Sequence, residues 1–234
     1  MLTAQEQKFI SLAPFDVPAL FDIHLENNLP LINTYGRLQT YAKGHIFFHP
    51  EEKVETIHFL TKGLIAESTS NANGLEKLTL VFPYYPQALA AALHQQPIIY
   101  TAYAYTDVTV ISLPIGRLLE LMQTNRPLLE NILRLLALET RNANNLILQN
   151  YSSSTIEKIY QTLYFYYLTA KHYEPLRSVK LSQQLIAGLS GVHRTSVNTA
   201  LKTLKEQHII TLDKKVLTVL DPPALKELAF VEMD

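Results

Sequence analysis

Hydrophobic positions follow two different periods along this chain. From Arg37 to Leu113, short runs of alternating apolar and polar residues are separated by turn residues about every 8 to 12 positions, which is typical of an antiparallel barrel or sandwich. After that the spacing changes to three and four, which predicts helices over 114–124, 127–151 and 155–171. The chain therefore reads as an α+β protein, with a β-rich first half and a helical second half.

One hairpin is especially clear within the β-rich half. Residues 64–68 and 75–82 flank Asn71-Ala72-Asn73-Gly74, and an Asn-Gly pair favours the positive φ angles of a tight turn. A second β-block spans 98–113. Residues 1 to about 36 carry scattered apolar positions broken by three prolines, and they predict short helices packed on a neighbouring domain.

The helix predicted over 127–151 carries two apolar stripes. One stripe repeats at alternating spacings of four and three and forms a coiled-coil seam, which predicts a homodimer; its residues are Leu129, Leu133, Leu136, Thr140, Ala143, Ile147 and Asn150. The alternative is a helix buried on its own sheet, and the second stripe suits that contact; its residues are Leu128, Ile132, Leu135 and Leu146. We expect both faces to be used.

Residues 181–210 predict two short helices joined by a tight turn. Ser182 is placed to cap the first helix, and Gly191 supplies the backbone freedom that the turn needs. Apolar positions give each helix one buried side. The second helix presents a polar, basic outer face, so the stretch reads as a helix-turn-helix.

The segments on either side of this motif complete a small domain. Ser154 and Glu157 form a capping box that starts a new helix after the break at 152–154, and we interpret residues 151–154 as a hinge. Beyond the motif, residues 209–213 and 216–220 bracket Lys214 and Lys215, a short hairpin with a basic tip that reads as a wing. The tail after Pro223 predicts a short helix.

Charge is distributed unevenly although the net charge is only −1. Residues 175–215 hold seven basic and two acidic side chains, a local charge of +5, which leaves −6 for the rest of the chain. A basic module attached to an acidic partner domain is typical of nucleic-acid binding. The alternative is a merely solvated basic face.

Composition excludes several kinds of chemistry. The 234-residue chain has no cysteine, so disulfides, thiol redox sensing and cysteine-ligated zinc or iron–sulfur clusters are excluded. The N-terminal residues do not form a signal peptide, and no apolar run approaches the ~20 residues of a membrane span. We therefore expect a cytoplasmic protein without membrane contact.

The Gly turn, the helix with its Lys-x-Leu and the wing resemble the Crp-Fnr superfamily of transcription regulators. The Lys-Gly turn, the Ile-x-Phe-Leu-x-x-Gly strand end and the Asn-Gly hairpin occur in that family's order. The resemblance implies a β-roll sensor domain over 1–126, a dimerisation helix over 127–151 and a winged helix-turn-helix over 152–234. It implies a homodimer on a palindromic operator, with RNA polymerase as a further partner.

The same resemblance assigns base readout to Arg194, Thr195 and Thr199. Arginine can bond guanine bidentately, so Arg194 is the first choice for base contact. Many relatives carry an acid and an arginine at the other two positions, so the operator need not be the common palindrome. The remaining residues expected to contact DNA, mainly through phosphate, are Ser182, Gln183, His193, Ser196, Asn198, Lys202, Lys214 and Lys215.

The sensor lacks the family's cyclic-nucleotide motif. Relatives that bind nucleotide carry a Gly-Glu pair and an Arg-Ser, but residues 83–104 contain no Gly, Glu or Arg. A phosphate without such groups would be poorly held. Haem through one of the histidines is a weaker alternative, and we expect no cofactor.

Tyrosines and leucines occupy this region instead, and they would suit a small apolar or aromatic effector held by Tyr84, Leu93 and Tyr103. The arrangement is similar to halophenol-responsive regulators of reductive dehalogenation. The alternative, that the tyrosines are simply core and rim, corresponds to a regulator that binds DNA constitutively.

A cupin-like enzyme is the rival from another class, but His45, His49, His58 and His94 lack His-x-His spacing, so we expect neither a metal site nor catalysis.

Overall fold

The computed structural model describes residue 6 and residues 9–72, 74–213 and 216–230. The chain divides into two compact units. The first comprises residues 15–69 and 79–141. The second comprises residues up to 14, the outer part of one hairpin over 70–78, and residues 142–234.

The first unit is built around two β-sheets. In the described residues the strands are β1 (Phe15–Asp16), β2 (Arg37–Tyr41), β3 (Ile46–Phe48), β4 (Thr56–Lys62), β5 (Ile65–Ser70), β6 (Glu76–Val81), β7 (Pro86–Gln87), β8 (Thr101–Ala104) and β9 (Val108–Pro114). One sheet has the order β1-β6-β5-β8-β3 and the other the order β2-β9-β4-β7. All the strand pairings given for this unit are antiparallel except β1 with β6.

The helices of this unit lie before, between and after its strands. They are α1 (Leu29–Tyr35), α2 (Leu89–His94), α3 (Ile115–Thr124) and the first part of α4 (Arg126–Ser152), together with 3₁₀ turns at Pro18–Phe21 and Leu25–Asn28. Leu128, Ile132 and Leu135 of α4 are buried in the core that the strands form, beside residues such as Phe59 and Ile65. The buried stripe predicted for this helix is therefore confirmed at these three positions.

The second unit contains the helix-turn-helix. Its elements are α5 (Thr155–His172), the 3₁₀ turn Glu174–Ser178, α6 (Gln183–Ser190), α7 (Arg194–Glu206), β10 (Ile210–Asp213), β11 (Val216–Val219) and α8 (Pro222–Ala229). The capping box at the start of α5 is confirmed, because Ser154 and Glu157 satisfy each other's backbone N–H groups. Gln161 of α5 donates to the Ala229 carbonyl at 2.8 Å and so ties α8 to the buried side of α5.

The hairpin predicted across the Asn-Gly turn is also confirmed. Strands β5 and β6 are neighbours in the sheet, and Gly74 has a φ of 72°. The Asn71 side chain accepts from the Leu75 N–H at 3.0 Å, which is a local turn of the kind that asparagine favours.

Two elements were not anticipated. Strand β1 is only two residues long, and it forms because β6 offers it a parallel edge rather than because of its own pattern. Helix α2 lies in the stretch for which the sequence predicts only an aromatic and apolar effector surface. Alanines favour a helix there, and Ala88 precedes it in a left-handed backbone conformation at φ 59°. No helix in the described residues is long and apolar enough to cross a membrane.

Candidate functional sites

The first helix of the helix-turn-helix is closed at both ends by local groups. Ser182 accepts from the Leu185 N–H at 3.1 Å, and Gly191 takes the left-handed conformation at φ 65° after the last helical residue. Its N–H returns to the carbonyls of Ala187 and Gly188. This fixes the turn that aims α7, as the sequence predicted.

Helix α7 buries one side and exposes the other. Its buried residues are Val197, Ala200, Leu201 and Leu204. The opposite face is polar, and its exposed residues are Arg194, Thr195, Asn198, Thr199, Lys202 and Lys205, with Ser196 partly buried and His193 exposed at the helix start. The structure therefore brings the predicted DNA-contacting residues of this helix onto one solvent-facing surface.

Arg194 lies at the first position of α7. Its Nε and one terminal nitrogen are each 3.4 Å from the Gln183 side-chain oxygen, which are long contacts that leave the guanidinium available. Gln183 begins the preceding helix, so Arg194 and Gln183, which are both predicted to contact DNA, lie next to each other. They border an open groove of ≈ 700 Å³ that Lys180 and Gln184 also line.

Other predicted DNA contacts are already engaged within the protein. The Thr199 hydroxyl donates to the Thr195 carbonyl at 3.3 Å, and Lys202 lies 3.8 Å from Glu206 in an exposed pair. Such an exposed ion pair contributes little free energy, so a phosphate can replace Glu206 as the partner of Lys202. Lys214 and Lys215 of the wing lie outside the described residues.

The outer part of the β5–β6 hairpin contacts α6 within the second unit. The Lys77 ammonium donates to the Leu189 carbonyl near the C-terminal end of that helix, where the helix dipole favours a positive charge. Burial is the main cause that lowers the pKa of Lys77 to about 8, with Lys158 as a second cause. Sequence reasoning did not predict this contact.

A cluster of three acidic side chains lies in the first unit. Asp16 belongs to β1, Glu67 to β5 and Glu139 to α4. The Tyr85 hydroxyl donates to Glu139, and the Tyr100 hydroxyl donates to Glu67. As whole residues the acids are partly buried, but the Glu67 Oε1 atom has no solvent access. We call these five residues the acidic cluster.

The protonation of the cluster reflects burial and mutual repulsion. Burial, and then the nearby Glu139, raises the pKa of Asp16 to about 7. Burial, followed by Asp16 and Glu139, raises the pKa of Glu67 to about 8, against the opposing hydrogen bond from Tyr100. Burial also raises the pKa of Glu139. None of the groups that shift these three pKa values is basic.

Gln87 follows the cluster's Tyr85 by two positions in the same extended segment. It is fully buried, and neither its amide oxygen nor its amide nitrogen has a hydrogen-bond partner among the described residues. Side chains two positions apart on a strand point to the same side. His58 pairs with Gln87, and the Leu60 backbone donates to the Tyr85 carbonyl and accepts from the Tyr84 N–H.

The three predicted effector residues lie in the first unit. Tyr84 and Leu93 pack, partly buried, against its core, and Tyr103 lies on β8 opposite Ile46 and Ala66. Sequence reasoning did not predict the acidic cluster or the buried Gln87. The available signal was the placement of Asp16 and Glu67 within apolar runs, where an unpaired acid is costly.

The seam predicted for dimerisation is exposed on α4. Leu133 and Ile147 are 56% and 54% exposed, and Thr140 and Ala143 are also exposed, whereas Leu129 and Leu136 are partly buried. Exposed large apolar side chains in register along one helix are a common feature of association surfaces. The Asn150 side chain lies outside the described residues.

Both halves of the chain match known families. Residues 38–125 match the cyclic nucleotide-binding domain, and residues 157–228 match the Crp-like helix-turn-helix domain. The cAMP-activated global transcriptional regulator CRP of Pasteurella multocida is 23% identical over 80% of this chain and 91% of its own length. The HTH-type transcriptional regulator Cmr of Mycobacterium tuberculosis is 20% identical over 82% of this chain and 76% of its own length.

A solved structure shares the fold. A variant of CprK complexed with OCPA superposes with a TM-score of 0.67 at 18% identity, covering 93% of this chain and 97% of that one. A cyclic nucleotide-binding domain followed by a Crp-like helix-turn-helix domain defines a DNA-binding transcription regulator. The chain belongs to the Crp-Fnr family of such regulators.

Proposed function

We propose that this protein is a homodimeric, sequence-specific transcription regulator whose DNA binding is controlled by a small non-nucleotide effector in the β-roll. The observation that carries the proposal is the solvent-facing row on α7, with Arg194 exposed at its start. The N-terminal end of such a helix is the part that enters the major groove.

Arg194 is the principal base-reading residue in this proposal. Its only hydrogen-bond partner in the described residues is the Gln183 side chain at 3.4 Å, so little is lost when it turns to a guanine. Thr195 and Thr199 are short, and they make apolar or single hydrogen-bond contacts. Ser182, Gln183, His193 and Lys202 contact phosphate, and the remaining specificity comes from DNA shape.

Dimerisation through α4 places two recognition helices on one operator. The exposed seam that contains Leu133 and Ile147 supports this step, because a helix that buries one stripe in its own unit still offers a second apolar stripe. We propose that the effector changes the angle at residues 151–154 and so sets the two recognition helices about one DNA turn apart.

A cyclic nucleotide does not fit this β-roll. Residues 83–104 lack the Gly, Glu and Arg of nucleotide-binding relatives. A cyclic phosphate without a cation or a glycine-rich turn to hold it would bind poorly. The effector is therefore a different kind of molecule from the cAMP named for the Pasteurella regulator.

A band-shift experiment tests the DNA-binding assignment. The wild-type protein is expected to shift a fragment from upstream of its own gene, and Arg194→Ala is expected to bind roughly ten- to a hundredfold more weakly. Arg126→Ala is the matched control, because Arg126 is an exposed arginine on α4. Equal binding by wild type and Arg194→Ala would refute the role of Arg194. A separate band-shift with added cell extract tests effector control, and an operator affinity that the extract does not change would favour constitutive DNA binding.

A further inference from the structure

The outer part of the β5–β6 hairpin, residues 70–78, follows the turn of the helix-turn-helix within one compact unit. A Cβ atom added to Gly188 would lie 2.5 Å from the Leu78 Cδ1 atom, and one added to Gly191 would lie 3.1 Å from the Lys77 Cδ atom. Gly188 lies in the first helix of the motif, and Gly191 ends that helix. The glycines on either side of this short bend are therefore both packed against the hairpin.

Gly188 indicates that this contact is a built feature of the chain. Gly191 is explained by its own backbone, because its φ of 65° lies in the left-handed region that favours glycine. Gly188 has no positive φ, and it lies inside α6, where alanine would be the better helix former. The Leu78 side chain occupies the space that a Cβ would need. The docked hairpin therefore accounts for a glycine that the helix itself does not require.

The same hairpin reaches the start of the recognition helix α7. Gly74, Leu75 and Glu76 line a cavity of ≈ 170 Å³ together with His193 and Arg194. The first turn of α7 contains no acidic residue of its own. Docking of the hairpin thus brings a carboxylate beside the exposed arginine that is proposed to read the operator. A carboxylate has the same sign of charge as a DNA phosphate, so it lowers the positive potential that attracts DNA to this end of the helix.

The Lys77 contact is suited to opening. The Lys77 ammonium donates to the Leu189 carbonyl at the end of α6. Burial is the main cause that lowers the pKa of Lys77 to about 8, with Lys158 as a second cause. Keeping this ammonium charged in the docked hairpin therefore costs free energy, which partly offsets the packing of Leu78 on Gly188.

We propose that the docked hairpin is an autoinhibitory contact, in which Glu76 lowers the affinity of α7 for DNA, and that release of the hairpin raises this affinity. The inference rests on the proposed operator readout by Arg194, and it adds a regulatory contact to the hinge at residues 151–154. While the hairpin is docked, the attraction between a phosphate and the side chains of His193 and Arg194 is weakened by the nearby carboxylate.

Glu76→Gln tests the electrostatic part of the inference in the full-length protein. In band-shifts with the upstream fragment, the variant is expected to bind about three- to tenfold more tightly than the wild type at low salt. The gain is expected to shrink at about 0.3 M salt, because exposed charges are then screened. Glu130→Gln is the control, since it removes the same charge from an exposed pair with Arg126 on α4. It is expected to bind like the wild type.

A reversible crosslink tests the docked hairpin itself. A Cβ atom at position 188 would lie 3.4 Å from the Leu78 Cβ atom, and a disulfide needs about 3.5–4.5 Å between these atoms. The chain has no cysteine, so Leu78→Cys combined with Gly188→Cys can form one bond only within each chain. The oxidised variant is expected to bind the fragment roughly tenfold more weakly than the reduced variant. Leu78→Ser combined with Gly188→Ser is the control, and oxidant is expected to leave its binding unchanged.

Two results would overturn the inference. One is an oxidised variant that binds the fragment as tightly as the reduced variant or more tightly, and the other is Glu76→Gln that binds no more tightly than Glu130→Gln. If the double cysteine variant does not fold, the comparison of Glu76→Gln with Glu130→Gln decides alone. All these proteins keep Arg194, so a failure here is distinct from the failure of Arg194→Ala to weaken operator binding.

Discussion

The Leu78 side chain fills the space beside Gly188, so that a Cβ atom added to Gly188 would lie 2.5 Å from the Leu78 Cδ1 atom. Leu78 lies on β6 and Gly188 on α6, the first helix of the helix-turn-helix. The neighbouring Lys77 reinforces the contact by donating to the Leu189 carbonyl. The outer end of the β5–β6 hairpin is therefore fitted to α6.

Gly188→Ala tests this fit. Alanine in a helix ordinarily stabilises a protein by up to about 1 kcal/mol relative to glycine. Here the clash with Leu78 is expected to reverse the sign and to lower the free energy of unfolding by about 1 kcal/mol, since overpacking typically costs ~1–3 kcal/mol. Urea denaturation provides the measurement.

The control for this substitution is Gly116→Ala. Gly116 lies in α3 with open space where a Cβ would be, so alanine is expected to stabilise the protein there. Adding Leu78→Ala to Gly188→Ala is expected to show a coupling free energy of about 0.5–3 kcal/mol. A stabilising Gly188→Ala, or no coupling to Leu78, would contradict the observed contact.

Leu133→Asp tests the proposed dimer seam. Leu133 is 56% exposed on α4, so an aspartate there costs little in one chain but places two charges in an apolar interface. The variant is expected to sediment as a monomer and to bind its operator at least tenfold more weakly. Arg134→Asp is the control beside it on the same helix, and a dimer that survived Leu133→Asp would show that the chains associate elsewhere.

The acidic cluster predicts how stability depends on pH. The folded protein holds the protons of Asp16 and Glu67 up to about pH 7 and 8, whereas the unfolded chain releases them near 3.8 and 4.5. Stability from these groups is therefore fully present below pH 4 and is lost as the pH rises to about 8. Tm is expected to fall over this range.

Glu67→Gln is expected to flatten that fall and to raise Tm at pH 8, because it removes one carboxyl and its repulsion of Asp16 and Glu139. The remaining slope belongs to Asp16 and Glu139. Melting curves of both proteins between pH 4 and 8 give the comparison, with Glu130→Gln as the surface control. Parallel curves for Glu67→Gln and wild type would show that Glu67 does not hold its proton into this range.

Local sequence signals predicted much of the second unit. Ser154, Ser182 and Gly191 act through groups at most four residues away, so their roles as caps and turn could be predicted from spacing alone. The long helix was predicted for a similar reason, since a regular spacing of apolar residues repeats along its whole length. The Crp-Fnr resemblance then supplied the order of the parts.

The acidic cluster and the hairpin contact could not be predicted in this way. Asp16, Glu67 and Glu139 are far apart in sequence, and they meet only because β1 pairs with β6 and β6 with β5 in the sheet. Each acid by itself is indistinguishable from a surface residue. The fit of Leu78 to Gly188 likewise joins residues 110 positions apart, and no periodicity records such a contact.

Footprinting on the shifted upstream fragment tests the proposed regulator most directly. A dimer that uses α7 for readout is expected to protect two symmetric segments about one helical turn apart. Arg194→Ala is expected to remove both segments together, and Leu133→Asp is expected to weaken both. A single unsymmetric protected segment, or protection that persists in Arg194→Ala, would contradict the proposal.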